Sequence, residues 1–408
     1  MAVPAPPSRR VMFAIIVAAL GYFVDIYDLL LFSIVRQKSL LGVGVPASEV
    51  LSKGVLLINM QMTGMLIGGV LWGILGDKRG RLSVLFGSIA LYSVANIANG
   101  LVHSVEAYAA WRFIAGVGLA GELGAGITLV SEIMPKESRG YGTTIVATIG
   151  ILGAVVAAQV GKWFDWRVAY FVGGGLGLAL LLLRLGVLES GMFEAVKKST
   201  VKRGDFLGLF RSVDRVRRYL AIILVGVPIW YAVGILITFS PELGAAMGMT
   251  IKPEAAAAVK YTYMGLAVGD LASGMFSQAM RSRKRVLIAF ILLTAACVGA
   301  YFTIAAQSLT TFYVVCGALG FATGYWAVFV TVASEQFGTN VRATVTTTAP
   351  NFVRGAVVPL TLGFQALKGT LGLRGSAIAV GAVSIVIALI AAATLRETYG
   401  KDLDYVEE

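Results

Sequence analysis

The stretch that decides the fold is Gly69-Val-Leu-Trp-Gly73-Ile-Leu-Gly76-Asp77-Lys78-Arg79-Gly80-Arg81, an apolar run with regularly spaced glycines that stops at a cluster of charges. Small residues three or four positions apart lie on one face of a helix and let a neighbouring helix approach closely, as they do between membrane helices. The charges mark the point where the helix leaves the apolar medium. The stretch therefore predicts a packed membrane helix that ends at a membrane surface.

The composition places most of the chain in the same apolar medium. Hydrophobic residues make up 57% of the 408 residues and charged residues 14%, and the mean hydropathy is +0.81. A soluble domain of this length carries more charge. A helix needs roughly 20 apolar residues to cross about 30 Å of hydrocarbon, and about twelve such runs occur. They lie near residues 11–35, 50–76, 83–102, 106–130, 140–162, 166–187, 217–242, 258–280, 285–305, 309–334, 342–367 and 373–396.

The basic residues indicate the orientation of these spans. Cytoplasmic loops retain Lys and Arg during insertion. Basic residues precede the first run and fill the even-numbered connections: Arg9, Arg10, Lys78, Arg79, Arg81, Lys136, Arg139, Lys197, Lys198, Lys202, Arg203, Arg211, Arg215, Arg281, Arg283, Lys284 and Arg285. We therefore expect both termini in the cytoplasm. The net charge of +12 then reflects topology and contact with the lipid bilayer, and it does not favour nucleic acid as a partner.

The first run is expected to remain as a span, because it is too long and too rich in acid for a signal peptide. We expect a multi-pass protein of the cell membrane, which is the inner membrane in a bacterium. Cys297 and Cys316 fall within apolar runs, which favours apolar packing over a disulfide or a metal site. The sequence predicts neither a metal nor a cofactor.

The two halves of the chain resemble each other. Ser131-Glu132-Ile-Met-Pro135-Lys-Glu-Ser-Arg139 follows the fourth run, and Ser334-Glu335-Gln-Phe-Gly338-Thr-Asn-Val-Arg342 follows the tenth. Transport pathways commonly form between two such repeats. We expect six-helix bundles at residues 1–188 and 217–408, joined by a cytoplasmic linker at 189–216. The spacing of apolar residues in the linker predicts an amphipathic helix on the membrane surface, although a flexible linker also fits.

The run from Gly69 to Arg81 has the pattern G-x3-G-x2-G-D-x-x-G-R, and it resembles the signature between the second and third helices of the major facilitator superfamily. The resemblance covers essentially the whole chain. It implies an all-α integral membrane protein with twelve transmembrane helices in two six-helix pseudo-repeats, which we expect to be monomeric. It also implies a gating network at the cytoplasmic ends of the helices, formed by Gly73, Asp77, Arg81, Glu132, Arg139, Glu335 and Arg342.

Two stretches resemble particular branches of the superfamily. Gly21-Tyr-Phe-Val-Asp25-Ile-Tyr-Asp28-Leu is similar to the first helix of proton-coupled symporters for phosphate, aromatic acids and other small metabolites. Arg112-Phe-Ile-Ala-Gly116-Val-Gly118-Leu-Ala-Gly121-Glu122 is similar to the fourth helix of sugar, metabolite and organic-ion transporters. The branch therefore stays open.

Four ionisable residues inside apolar runs are candidates for proton coupling. At about 1.5 Å per residue, Asp25 lies roughly 21 Å from the cytoplasmic face and Arg112 roughly 9 Å from the outer face, which is the same depth. Asp28 follows one turn outward, and Glu122 lies nearer the cytoplasm. Burial favours a neutral acid and a nearby cation favours a charged one, so such acids can take up and release protons. A permanent ion pair of Asp25 with Arg112, and a packed, protonated Glu122, also fit.

Arg354 is the candidate for binding a negatively charged substrate. Counting from Arg342, it lies roughly 18 Å into its span, close to the bilayer centre. Charge at that depth is costly without an anionic partner, and a guanidinium group matches a carboxylate or phosphate. The partner is either the substrate or an acid such as Asp270, and Asn351 adds an amide to the same face. Aromatic residues are predicted to line the cavity: Trp230, Tyr231, Tyr263, Tyr325 and Trp326.

These features favour a secondary active transporter that moves a small organic anion, a carboxylate, by proton symport with alternating access. A proton-coupled or facilitative transporter of a neutral sugar-like solute, phosphate or an organic cation is the alternative, and sodium coupling stays open. An enzyme is disfavoured because the sequence offers no nucleophile with a base, metal cluster or phosphate loop. A receptor that binds without transport also remains open.

Overall fold

The computed structural model describes residues 9–79, 81–122, 139–189 and 206–400, and every regular element in these ranges is helical. The helices are α1 (Arg9–Gly42), α2 (Val50–Arg79), α3 (Arg81–Gly100), α4 (Val105–Leu119), α5 (Arg139–Trp163), α6 (Trp166–Glu189), α7 (Val213–Tyr231), α8 (Ser240–Ala246), α9 (Ala255–Ala279), α10 (Arg283–Thr303), α11 (Leu309–Thr323), α12 (Trp326–Glu335), α13 (Thr339–Gly355) and α14 (Val357–Thr394). Short 3-10 turns lie at Phe206–Phe210 and Ala305–Gln307.

The long helices have the length and composition of membrane spans. Seven such stretches occur in the described residues, and the longest, Thr344–Thr394, has 51 residues. At about 1.5 Å per residue it measures roughly 77 Å, which is enough for two crossings of about 30 Å. It is interrupted at Gly372, whose φ of 66° suits glycine. Val84–Gly100 and Ile149–Trp163 are shorter apolar helices. The count of twelve spans and the cytoplasmic termini stay predictions.

The helices pack as two groups that meet along two seams. In the first group α1 packs on α5 and α6, α2 on α4, and α3 on α4 and α6. In the second group α7 packs on α13 and α14, α9 on α11, and α10 on α11 and α14. The groups contact each other where α2 meets α13 and α14, and where α5 meets α9. Side chains of α1, α7 and α13 therefore lie at the centre of the molecule, between the two groups.

The linker is described only in part. Residues 190–205 lie outside the described residues, so the predicted surface helix is not tested there. Phe206–Phe210 forms a 3-10 turn, and Leu209 within it is fully buried against the bundle. The turn contacts α2 in the first group and both α7 and α13 in the second. The division of the chain into two six-helix bundles joined by a linker at 189–216 stays a prediction.

Two spans of the second group are irregular. In α7, Pro228 lacks the N–H that a regular helix turn requires, and a π-helical stretch at Ala232–Ile237 follows. The span formed by α11 and α12 is broken at Gly324 and Tyr325. Both irregular segments lie in the interior of the bundle, where Ala232 and Tyr325 are fully buried.

The two groups are clamped together at one end of the bundle. Arg36 of α1 donates to both carboxylate oxygens of Glu242 in α8, at 2.6 and 2.7 Å. Gln37 donates to the same carboxylate at 3.0 Å, and the hydroxyls of Thr238 and Ser33 lie 3.0 Å apart. We call the end of the bundle that carries Glu335 and Glu397 the terminal face. The end that carries Arg36 and Glu242 is called the opposite face.

Candidate functional site

An ion pair between the two groups lies at the centre of the bundle. Arg354 of α13 donates through Nη2 to Oδ2 of Asp25 in α1, at 3.2 Å. Both side chains are inaccessible to solvent, with 1% of Arg354 and none of Asp25 exposed. The expected pairing of Asp25 with Arg112 is therefore replaced by a pair that joins the groups. Arg354 thus has an acid partner, but that partner is Asp25 and not Asp270.

The pair leaves polar atoms free in a buried place. Within the described residues, Nε and Nη1 of Arg354 and Oδ1 of Asp25 have no hydrogen-bond partner. Trp230 of α7 lies under the guanidinium, 5.9 Å from its carbon to the ring centroid, and its own Nε1 is also unpartnered. Buried polar groups without partners are rare and costly. The arrangement therefore has the donors that a small anionic ligand would satisfy.

Aromatic side chains complete this central site, although not all of the predicted ones. Tyr22 of α1 and Tyr263 of α9 both lie within electrostatic range of Asp25 and Arg354. Tyr22 was not among the predicted residues, although its position three residues before Asp25 puts both on one helix face. The remaining predicted aromatics bond or pack elsewhere. Tyr231 donates to Ala377 O at 2.8 Å, Tyr325 donates to Val225 O at 3.0 Å, and Trp326 packs against Phe329 with the two rings tilted by 34°.

A second polar cluster lies within the first group, one turn along α1. Both carboxylate oxygens of Asp28 are buried and, among the described residues, lack hydrogen-bond partners. Arg112 and Asn96 are close enough to interact with this carboxylate. Arg112 is fully buried, donates to Gln61 Oε1, and has its guanidinium carbon 4.7 Å from the ring centroid of Phe32. The sequence predicted Arg112 beside Asp25, whereas the acid that lies near Arg112 is Asp28, one turn further along α1.

Glu122 has a partner that the sequence analysis did not single out. Arg184 of α6 donates to both of its oxygens, and both side chains are buried. An arginine that interrupts the leucine run of the sixth span was the available signal. Glu122 is therefore half of an ion pair within the first group.

Asn351 and Asp270, two further candidates for the site, bond instead to backbone groups at the ends of helices. The amide of Asn351 donates to Ala120 O, just beyond the end of α4, at 3.0 Å, and its Oδ1 is unpartnered among the described residues. Asp270 accepts from the backbone N–H of Ala327, at the start of α12, at 3.1 Å. Asn351 still borders the seam between the groups, whereas Asp270 lies within the second group.

The predicted gating residues are described unevenly. Gly73 lies half-buried in α2, the side chains of Asp77, Arg81 and Arg139 lie outside the described part, and Glu132 lies wholly outside it. At the terminal face, Glu335 lies 3.6 Å from Arg283 and accepts from Thr398 at 2.6 Å. Arg342 donates through Nε to Ser334 O at 2.9 Å and Phe337 O at 3.1 Å. These contacts connect α10, α12, α13 and the chain after α14.

Two packed groups of membrane-type helices that meet around a central site are an arrangement typical of membrane transporters. The family model of the Major Facilitator Superfamily matches residues 11–362, and the chain belongs to that superfamily. Membership places it among transporters and not among enzymes, as the sequence predicted.

Curated relatives and solved structures agree with this assignment. The chain is 27% identical over 326 residues to the niacin transporter NiaP of Acinetobacter baylyi, covering 70% of this chain and 72% of that protein. It is 26% identical over 363 residues to the cis,cis-muconate transport protein of the same organism, covering 83% and 84%. The crystal structure of a D-xylose-proton symporter superposes with a TM-score of 0.71 at 18% identity, covering 96% of this chain and 99% of that one. That structural likeness shows the fold.

Proposed function

We propose that this protein moves a small organic carboxylate across a membrane together with a proton, by alternating access. The observation that carries the proposal is the buried pair of Arg354 and Asp25, which joins the two groups at the centre. A guanidinium with free N–H groups beside the face of Trp230 suits a planar carboxylate. The neighbouring acid gives the same site a means of exchanging a proton.

The pair explains how the two cargoes become coupled. Asp25 and a substrate carboxylate compete for the same guanidinium, because one buried cation cannot be shared by two anions without leaving net negative charge in a dry site. A proton that binds Asp25 releases Arg354 for the substrate. When the proton leaves on the other side, Asp25 recovers Arg354 and displaces the substrate. Proton and carboxylate therefore travel in the same direction.

Asp28 provides a second place for the proton. It lies one turn from Asp25 on α1, and the amide of Asn96 and the guanidinium of Arg112 lie close to its unpartnered oxygens. Such a cluster is polar enough to hold water, through which a proton can pass. Glu122 is a weaker candidate because Arg184 already neutralises it.

The relatives favour an organic acid. NiaP is named for niacin and the second relative for cis,cis-muconate, and both of those compounds are carboxylic acids. We place the terminal face in the cytoplasm of the cell, with the lipid bilayer around a monomer. Asp77, Arg81, Glu132 and Arg139 would hold that face closed together with Glu335 and Arg342, and opening would alternate with release of the Arg36–Glu242 clamp.

The test is uptake into proteoliposomes by purified protein, with niacin, benzoate, cis,cis-muconate and D-xylose as probes and an imposed pH gradient. We expect the gradient to drive accumulation of at least one carboxylate. Arg354→Ala is expected to reduce its uptake at least about 30-fold, since truncating one member of a desolvated charge pair costs about 2–5 kcal/mol. Asp25→Asn is expected to abolish the response to pH but to preserve exchange of carboxylate between the two sides.

The matched control is Arg374→Ala, which removes an arginine that bonds only to Phe302 O among the contacts described for its guanidinium. It is expected to transport like the wild type. Uptake of D-xylose by wild type and Arg354→Ala alike, with no carboxylate taken up, would replace this proposal by a neutral-solute transporter.

A further inference from the structure

The span formed by α11 and α12 is broken in the middle of the second group. Gly324 has φ −76° and ψ 54°, and Tyr325 has φ −121° and ψ 20°, so neither continues the helix. A helix that starts afresh inside a protein has backbone N–H groups that need acceptors. Asp270 of α9 supplies one, because its Oδ1 accepts from Ala327 N at 3.1 Å. Its side chain is 8% exposed and also interacts with the N–H of Trp326.

Close packing of glycines fixes the position from which Asp270 acts. Along the contact of α9 with α11, Gly265 and Gly269 lie against the backbone carbonyls of Gly317 and Phe321. From the other side, Gly320 lies against the backbone of Thr262 and Gly324 against that of Gly269. A Cβ atom at any of these four glycines would meet backbone that cannot move aside. α9 and α11 therefore form one unit, and Asp270 reaches from its edge across the break to α12.

The two ends of α12 reach different functional regions. Its first turn is held by Asp270, which lies within electrostatic range of Tyr22 beside the central ion pair. Its last residue, Glu335, contacts Arg283 and Thr398 at the terminal face. With ten residues, α12 is about 15 Å long. α12 is therefore a short helix that connects the region of the candidate binding site to the terminal face.

We propose that Asp270 is a positioning residue that caps α12, so that this half-span moves as a separate rigid lever when the terminal face opens. The carboxylate complements the positive end of the α12 dipole and satisfies its first N–H groups. In this role Asp270 neither carries the coupled proton nor contacts the substrate. The inference goes beyond the proposed function and does not depend on which solute is transported.

The test rests on the difference between two substitutions. Asp270→Asn removes the ionisable group but keeps an acceptor oxygen in place, and Asn caps helices about as well as Asp. Asp270→Ala removes the acceptor. The matched control is Ser273→Ala on the same helix, since the Ser273 hydroxyl bonds only to the carbonyl of Asp270 in the contacts described for it. Each variant is purified as the full chain and studied by amide hydrogen exchange and by pH-driven uptake.

Asp270→Ala is expected to speed exchange of the amides at 326–330 by about 5- to 30-fold, the effect of losing a helix cap, and to impair uptake. Asp270→Asn and Ser273→Ala are expected to leave both within about threefold of the wild type. Loss of uptake in Asp270→Asn with unchanged exchange would overturn the proposal, because it would show a titrating or ligand-binding carboxylate. Unchanged exchange in Asp270→Ala would also overturn it.

Amide hydrogen exchange is measured without substrate, so it tests the capping role of Asp270 even if the protein transports no carboxylate. If Asp270→Ala does not fold, Asp270→Asn still tests whether Asp270 acts as a cap or as a titrating group. Wild-type exchange together with retained uptake supports the cap, and lost uptake with wild-type exchange refutes it.

Discussion

At the scale of single residues, the central ion pair is a costly arrangement. Transferring a charge from water into a protein interior costs several kcal/mol, and attraction offsets this only when hydrogen bonds satisfy the remaining polar atoms. Here a single contact of 3.2 Å joins Arg354 to Asp25, while Nε and Nη1 of the guanidinium stay unpartnered within the described residues. Protein groups therefore satisfy the guanidinium only in part, which favours binding of a further anion.

The energetic coupling of the two residues is measurable. Arg354→Met leaves Asp25 as an unpaired buried acid, and we expect the free energy of unfolding to fall by about 3–5 kcal/mol. Adding Asp25→Asn is expected to restore part of that loss, because no charge is then left behind. Denaturation in detergent, followed by tryptophan fluorescence, gives the three values. If the losses of the two single variants simply add in the double variant, the pair is not coupled.

The sequence predicted that Arg354 lies inside the membrane with an anionic partner, but it could not identify that partner. Counting residues along helices gives depth and not position around the bundle. Asp25, Arg112 and Arg354 all lie near mid-depth, so depth could not choose between the two arginines. The choice is made by how the two groups meet, and that contact joins positions 25 and 354, far apart in the chain.

At the scale of elements, glycine contacts decide how α9 and α11 pack. Gly265 and Gly320 let the two backbones touch, one from each helix. Close approach of this kind is a means of association for membrane helices, because lipid provides no hydrophobic force between them.

Gly320→Ala is expected to destabilise the protein by about 1–3 kcal/mol, since the added methyl group meets the backbone of Thr262, which cannot yield. Gly299→Ala in α10 is the matched control, because no described atom lies near the methyl group there. It is expected to be neutral or to stabilise by up to about 1 kcal/mol through helix propensity. Thermal unfolding of both variants checks the difference, and an equally stable Gly320→Ala would show that the helices can separate at no cost.

The sequence predicted most apolar runs as continuous spans, and this was adequate for α1, α2 and α9. It did not predict the break between α11 and α12, because the predicted span at 309–334 holds no proline. At the break, the backbone N–H of Ala327 bonds to Asp270, a residue of another helix that glycine packing holds nearby, and the local sequence gives no signal for such a contact. Arg184 was missed for a related reason, since its role exists only opposite Glu122.

At the scale of the whole molecule, the structure is closed at the opposite face. The Arg36–Glu242 clamp, with Gln37, holds α1 against α8, and Thr361 of α14 donates to Asn59 of α2 at 2.6 Å. Every one of these contacts crosses between the two groups. Opening at this face therefore requires their loss together.

Removing the clamp is expected to favour opening at the opposite face. Spin labels at Glu49→Cys and Lys252→Cys, both exposed in loops of different groups, report the separation after Cys297 and Cys316 are replaced by serine. We expect Glu242→Ala to shift the distance distribution to longer values, measured by double electron–electron resonance. Arg167→Ala is the control, since Arg167 bonds to Gly100 O and Val102 O within one group. An unchanged distribution in Glu242→Ala would mean that the clamp does not hold this face closed.

The ion pair at the centre also sets the electrical character of the proposed cycle. With Asp25 bound to Arg354 the empty site carries no net charge, and with a protonated Asp25, Arg354 and a monocarboxylate it again carries none. Neither form is then pulled by the membrane voltage as it reorients, so a monocarboxylate would accumulate in response to the pH difference alone. A dicarboxylate would add one uncompensated negative charge, and its uptake would be opposed by a membrane potential that is negative inside. The same two residues that couple the cargoes would thus make the carrier selective among acids by their valence.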